Sequence, residues 1–374
     1  MRRVGIVGGG QLGRMLIQAG IDLDLWLRVL DGAADSPCSG IAHEFMLGSV
    51  RSSTDLYEFG KDLEVVTIEL EEVSVEGLRL LQAQGIHVAP APAIVELIQD
   101  KGMQRQWYAQ QGFPCPRFQL WAPGKPIELP FPLVQKARRG GYDGRGVQIA
   151  HTPGDLWPVP SVLEEPLPIL KEVSVIAARN RAGEVRTFPA VESVFHPQAH
   201  VVTHLKIPAD LSPDLAREAQ RLAAHLAETL RLEGLLAVEL FLTTDGKWYL
   251  NEAAPRPHNT GHITVKACWT SQFEQHWRAI LNLPLGETHL HTPGALVNIL
   301  GPAGASGTPR FPFLEAILRL PGVSVHLYGK RKSTPFRKLG HVLLLAPDPD
   351  TLQKHLAQVQ NLLQVEVEEE TTEG

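Results

Sequence analysis

The sequence predicts an α/β layer with a parallel sheet over residues 1–95, then an α+β unit with antiparallel strands, then a small β-rich unit at the C-terminal end. Three observations carry this. "RRVGIVGGGQLGRMLIQAG" reads as a short apolar strand, a glycine turn and a helix with Leu12, Met15, Leu16 and Ala19 on one face. "LLAVELFLTTDGKWYLNEAAPRPHN" at 235–259 reads as two strands about an Asp-Gly turn. "VSVHLYG" and "HVLLLAP" are short β-like runs, set apart by the Gly/Pro/Ala-rich passage "HTPGALVNILGPAGASGTPR".

In chain order, a second strand of the first unit is expected in "LDLWLRVLD" and a third in "LEVVTIELE". "HVAPAPAIVELIQDK", with two prolines, breaks that pattern and marks the first boundary. The second unit, 96–293, opens with a helix in "KGMQRQWYAQQG" and continues with strands in "FPLVQKA", "VQIA", "SVLEEPLP" and "KEVSVIAAR". Its best-marked helix is "SPDLAREAQRLAAHLAETLRLEG". Ser212 is the N-cap, Pro213 takes the first helical position, Leu215, Ala219, Leu222, Ala223, Leu226 and Leu230 form the apolar stripe, and Gly234 is the stop. The third unit, 294–367, adds one helix in "PDTLQKHLAQVQNLL", and the acidic tail 368–374 is expected to be disordered.

Composition excludes several classes. With Lys+Arg 35 against Asp+Glu 41 the net charge is -6, without the basic excess of a nucleic-acid binder. Three cysteines (Cys38, Cys115, Cys268) stand far apart, in neither a disulfide framework nor a zinc spacing. No signal segment and no apolar run of bilayer length occurs, so a cytoplasmic enzyme is expected.

Gly8, Gly10 and Gly13 satisfy G-x-G-x-x-G after a strand and into a helix, with Asp31 ending the next strand 18 residues beyond Gly13. Such a turn offers bare amides to a phosphate of any owner. A nicotinamide dinucleotide, another phosphate ligand, or simple close packing of the turn all satisfy this spacing. In "ARRGGYDGRGVQIA" at 137–150, Gly140, Gly141, Gly144 and Gly146 accompany Arg138, Arg139 and Arg145. That loop suits an anion, or is a surface hairpin with a basic tip.

The Asp-Gly turn is the most informative feature. If Asp245 and Gly246 are the two loop residues, Thr244 pairs with Lys247, and counting outward sets Glu239 opposite Glu252. Like charges so placed destabilise a sheet unless a proton or a cation joins them, and magnesium, which takes one or two carboxylates plus phosphate oxygens, is the natural cation. A register slipped by one residue would leave both in solvent. Asn251 is expected on the opposite face by alternation, whereas Arg256, His258 and Asn259 follow on a turn near the carboxylates. Lys101, Arg105, Lys136, Arg138, Arg139 and Arg145 add the cations that a triphosphate site needs.

On "GGGQLGRM" (8–15), "TIELE" (67–71), "QDKGMQR" (99–105), "GGYDGRG" (140–146), "NEAAPRPHNTGH" (251–262) and "RKLGH" (337–341), nearly the whole chain resembles the ATP-grasp enzymes of purine biosynthesis. The resemblance implies an ATP-grasp fold with a Rossmann-like N-terminal domain, a lid subdomain at 110–165 and a small C-terminal domain. It implies a carbon–nitrogen ligase that uses ATP and bicarbonate to form carboxyphosphate. The carboxyl group then passes to the exocyclic amine of aminoimidazole ribonucleotide, leaving ADP and phosphate. It also implies two magnesium ions, a homodimer, and a mutase that takes the product.

By the same resemblance Lys101, Arg105 and Lys136 bind ATP phosphates, with Gly141 and Gly144 in the lid above them. Glu164 and Glu165 meet the adenine edge, Glu172 takes the ribose hydroxyls, and Glu239 and Glu252 hold magnesium. Gly10, Gln11, Leu12, Glu69, His258, Asn259, Lys330 and Arg337 bind the ribonucleotide. Tyr142, Asp143, Arg256 and Lys338 are the catalytic set, with Asp143 as base for the amine. Three departures stand out. Lys101 then Arg105 replaces the usual Arg then Lys, and Ser333 and Thr334, with one extra residue, replace an Arg-Pro element for which Arg331 or Lys332 substitutes. Ser193 stands where an Asn is common. A formate-using enzyme acting on glycinamide ribonucleotide shares the acyl-phosphate chemistry and is separated by motif alone.

Overall fold

The computed structural model describes residues 2–140, 146–195 and 202–368. Its N-terminal sheet is built from buried apolar runs that only a sheet covered on both faces accommodates. Five parallel strands lie in the spatial order Glu44–Leu47, Trp26–Asp31, Arg3–Val7, Val65–Ile68, His87–Val88. The chain leaves Arg3–Val7 toward one edge and returns to its other side with Val65–Ile68. This opens a crevice at the carboxyl ends of those two strands, where ligands of such sheets bind. The edge strands Glu44–Leu47 and His87–Val88 were not expected from the sequence, being four and two residues long and largely without buried alternation.

Regular structure resumes at the second of the two prolines of "APAPAIVELIQ". Pro92 takes the first position of the helix Pro92–Ile98, its missing N–H costing nothing there. Val95 packs in the core of the N-terminal sheet while Ile94 and Ile98 pack in the next core, so this helix belongs to both.

A four-stranded antiparallel sheet follows, in the order Phe118–Trp121, Ser161–Glu164, Leu133–Ala137, Val147–Ala150. The largest sheet begins with Trp248–Ala254, Gly234–Thr243, Ile169–Arg179, Val191–Phe195 and Val202–Ile207. It continues without a break through Gly294–Leu300, Lys338–Leu345 and Val323–Leu327. The C-terminal strands therefore extend the central sheet. The sequence concealed this because the joining strand, "GALVNIL", is apolar but sits inside a Gly/Pro-rich passage.

The helix Pro213–Thr229 carries the expected cap, with the Ser212 hydroxyl accepting from the Leu215 amide, and buries Ala219, Ala223, Leu226 and Ala227. Its stop is not Gly234. Arg231 adopts φ +50° and turns the chain, and Gly234, at φ +116°, opens the next strand. Among the described residues no helix is long and apolar enough to cross a membrane.

The helix Gln272–Ile280 binds the N-terminal sheet to the central one: Phe273, Trp277 and Ile280 enter the core formed by Leu12, Met15 and Leu16. The fully buried Trp277 indole N–H donates to the Leu16 carbonyl at 2.9 Å. Trp277→Ala removes this plug and its hydrogen bond, and is expected to cost about 3–5 kcal/mol in urea unfolding.

Candidate active site

Glu239 and Glu252 do face each other across two antiparallel strands, but by a different route from the one counted. Near the turn, Thr243 pairs with Lys247 through backbone bonds and Leu240 with Leu250, one residue away from a two-residue turn. A β-bulge between Glu239 and Leu240 restores the count, so the two deviations cancel. The bulge also reverses the expectation for Asn251. Its side chain stands with the carboxylates: its Nδ2 donates to Glu239 Oε2 at 3.2 Å and its Oδ1 accepts from Lys136 Nζ at 2.9 Å. Alternation hid this residue, and only the extra residue in the strand reveals it.

The Lys101 ammonium contacts Glu252 at the first turn of the helix Lys101–Gln110. His258 Nε2 lies 3.6 Å from Glu239 Oε1. Burial first, then Glu252 opposite, pushes the Glu239 carboxyl from 4.5 up to about 8. The Glu239 and Glu252 side chains keep 31% and 37% of their exposure, so an ion can reach both. Among the described residues no group of three or more His, Cys, Asp or Glu forms a closed cage. Magnesium needs none, because phosphate oxygens and water fill most of its shell.

Behind the pair lies a buried triad. Arg105 Nη2 and Lys136 Nζ reach the two oxygens of Glu164 at 2.6 and 2.9 Å. Burial opposes the charged form of Glu164, and Lys136 with Arg105 outweighs it, holding the carboxyl below its ordinary range. Burial lowers the pKa of Lys136. Arg105 also donates to the Leu250 and Asn251 carbonyls at 2.7 and 3.0 Å, which clamps the bulged strand. Its guanidinium is held by protein groups, and the Glu164 carboxylate is shared by two cations. Glu165 pairs with Arg117 at the surface, while half-buried Glu172 lies beside Phe241 and Ser193 in the central sheet. Burial raises the Glu172 pKa.

Asp100, not singled out from the sequence, caps the Lys101 helix through the Gly102 and Met103 amides. It also receives Arg138 at 2.8 and 2.9 Å, so the base of the glycine loop is tied to that helix. Gly141, Tyr142, Asp143, Gly144 and Arg145 lie outside the described residues, as does most of the acidic tail.

The N-terminal glycine turn fills its own anion site. Asp31 accepts from the Gly9 amide at 2.6 Å, and Glu69 accepts from the Gly10 and Gly13 amides at 3.0 and 3.1 Å. Gly8 sits at φ +102°, and a Cβ on Gly13 would stand 2.8 Å from the Gly8 carbonyl, so the turn requires both glycines. Burial pushes the Glu69 carboxyl up to about 7, against the two amides and Arg256. Arg256 pairs with Glu71 at 2.8 Å. Gln11 reaches across to Lys330, whose ammonium donates to its side-chain oxygen at 3.0 Å and to the Lys338 carbonyl at 2.8 Å. The Leu12 side chain belongs to the core, leaving only its backbone to face a ligand.

His258 caps the short helix Asn259–Ile263, and burial, then Arg256 and Lys338, pushes its pKa down to about 3, so the ring is neutral. The Asn259 side-chain oxygen is buried and has no donor among the described residues. Arg337 is exposed and donates to the Lys332 carbonyl at 2.7 Å. Lys101 and Asn251 thus meet the facing carboxylates, Lys136 meets Asn251, and His258 stands close to Glu239 and within the field of Arg256 and Lys338.

Family models match the chain throughout: the ribonucleotide synthetase preATP-grasp domain at 1–99, the ATP-grasp domain at 106–273 and the phosphoribosylaminoimidazole carboxylase C-terminal domain at 294–355. The N5-carboxyaminoimidazole ribonucleotide synthase of Synechococcus elongatus is 38% identical over 92% of this chain and 89% of its own length. The chloroplastic phosphoribosylaminoimidazole carboxylase of Vigna aconitifolia is 36% identical over 95% of this chain, which spans 66% of that longer protein. Among solved structures, N5-carboxyaminoimidazole ribonucleotide synthetase from Thermotoga maritima superposes with a TM-score of 0.91 at 36% identity, over 98% of this chain and 100% of that one. The N5-carboxyaminoimidazole synthase of Aspergillus clavatus, solved with ADP and 5-aminoimidazole ribonucleotide, gives 0.87 at 29% identity, over 97% and 98%.

Two outcomes follow from this geometry. An acid whose folded pKa is raised keeps its proton in the folded chain after the unfolded chain has lost it, so stability declines as pH rises from 4.5 to about 8. Without magnesium or nucleotide, thermal unfolding of the wild type should show that decline, and Glu239→Gln should flatten it. Glu164→Gln leaves Arg105 and Lys136 buried without a counter-charge and should cost about 3–5 kcal/mol in urea unfolding.

Proposed function

The chain belongs to the N5-carboxyaminoimidazole ribonucleotide synthase family of ATP-grasp enzymes, and on that footing we propose that it carboxylates the exocyclic amine of 5-aminoimidazole ribonucleotide at the expense of ATP and bicarbonate. The observation that carries this reading is the facing pair Glu239 and Glu252, with Lys101 on Glu252, Lys136 on the neighbouring Asn251 and His258 3.6 Å from Glu239.

A bicarbonate oxygen attacks the γ-phosphorus of ATP and ADP departs, giving carboxyphosphate. The amine nitrogen then attacks the carboxyl carbon, phosphate departs with the C–O bond electrons, and the nitrogen gives up a proton. Lys101 and Lys136 stand at the edge of the carboxylate pair, where their charges would meet the phosphate oxygens of ATP. Glu239 and Glu252 would hold magnesium, which when bound supplies positive charge to those oxygens. Arg105 serves as a buttress that fixes the strand carrying Asn251 and Glu252.

Gln11, Lys330, His258 and Asn259 receive the ribonucleotide, with Lys338 and Arg256 supplying positive charge toward the carboxylated intermediate. Glu69 and the Gly10 turn shape the floor of that site. His258, held neutral, offers a hydrogen bond without adding charge. Asp143, in the glycine-rich loop with Tyr142, is the base assigned to the amine proton, and closure of that loop would keep water from a hydrolysable mixed anhydride. A homodimer and transfer of the product to a mutase are proposed on the family likeness alone.

ADP release with magnesium-ATP and bicarbonate, measured with and without 5-aminoimidazole ribonucleotide, tests the reading. Formate with glycinamide ribonucleotide is the control. Strong, bicarbonate-dependent stimulation by the aminoimidazole nucleotide is expected, and turnover only in the formate arm would overturn it. Glu252→Gln should lower the stimulated rate at least about a hundredfold, consistent with loss of a charged group acting on the transferred phosphoryl.

A further inference from the structure

Tyr328 and His341 take no part in the site as assigned from sequence, yet the Tyr328 ring lies under Lys330, one of the residues assigned to the ribonucleotide. Tyr328 follows the strand Val323–Leu327 in the C-terminal unit, but its side chain is 1% exposed and packs in the N-terminal core with Leu12 and Met15. Its hydroxyl is hydrogen-bonded to His341 Nδ1 at 2.8 Å. Its backbone N–H donates to the Leu339 carbonyl at 2.9 Å. Over its ring, at 5.6 Å from the centroid, lies the Lys330 ammonium that joins Gln11 to the Lys338 carbonyl.

His341 is in turn held on both faces. Its ring stacks at 4.7 Å on His262, from the helical turn that carries His258 and Asn259, and at 4.7 Å on His326 of the adjoining strand, with interplanar angles of 12° and 13°. Burial pushes all three imidazoles below their ordinary range, so neutral rings stack without repulsion. One phenol–imidazole bond therefore links three parts of the chain: the helix of Gln11, the turn of His258 and the strand of Lys338.

We infer that Tyr328 and His341 are positioning residues for the ribonucleotide: the phenol ring sets Lys330 against Gln11, and the stacked imidazole fixes the phenol. The inference rests on the function proposed above. It assigns these residues to the ribonucleotide, since the cation over the Tyr328 ring is Lys330.

Titration calorimetry and steady-state kinetics on the full chain separate this from a general packing role. Tyr328→Phe removes one oxygen and keeps the ring. It should weaken 5-aminoimidazole ribonucleotide about fivefold, in both Kd and KM, while the KM for ATP and kcat hold. His341→Leu should behave alike, and His341→Asn, whose amide stands near the position of Nδ1, should recover most of the loss. An unchanged ribonucleotide affinity in Tyr328→Phe, or an equal loss toward ATP, overturns the inference. If His341→Leu fails to fold, Tyr328→Phe decides alone. A wild type that binds no ribonucleotide sinks the proposed function and this inference with it, whereas a wild type that binds beside an unaffected Tyr328→Phe sinks the inference only.

Discussion

Glu239 and Glu252 repel each other, and the sheet that sets them opposite at one register position must supply the compensation. The surrounding residues divide that task. Lys101 contacts one carboxylate, the Asn251 amide donates to the other, and the neutral ring of His258 stands near without worsening the field. Burial, and after it the uncompensated charge of Glu252, raises the pKa of Glu239.

Such a pair works only on a rigid base. The bulged strand would be a weak support, since the extra residue disrupts the ladder locally. Arg105 repairs it by donating to the Leu250 and Asn251 carbonyls, and Arg105 is itself anchored, with Lys136, on buried Glu164. Two cations on one carboxylate leave net positive charge at the rear of the site, which suits a site built for phosphates. Asp100 performs a parallel service for the helix of Lys101 and the arginines at the base of the glycine loop.

The contacts of Gln11 and Lys330 are assembled differently, from pieces distant in the chain. Gln11 and Lys330 are separated by 319 residues and meet at 3.0 Å. Their meeting depends on packing: Trp277 locks the first helix to the central sheet, and Tyr328 carries the C-terminal unit into the same core. Continuity of the central sheet into the C-terminal strands makes the two units parts of one body.

Local chemistry determined much of this in advance. Glycine at 8 and 13 allowed a turn after the first strand, Ser212 and Pro213 opened a helix, and an Asp-Gly turn joined the two apolar strands of Glu239 and Glu252, whose facing needed the bulge as well. Those features depend on near neighbours, which is why they are legible in sequence, and the assignment of substrate roles came from likeness to a family. The tertiary structure decided the rest. Whether Asn251 stands with the carboxylates turned on one bulge, and the partners of Arg105 and of the glycine-turn amides come from strands elsewhere in the chain. Short edge strands and the Gly/Pro-embedded strand Gly294–Leu300 were hidden for the same reason: their stability comes from partners across a sheet, and pairing across a sheet leaves no periodicity in so few residues.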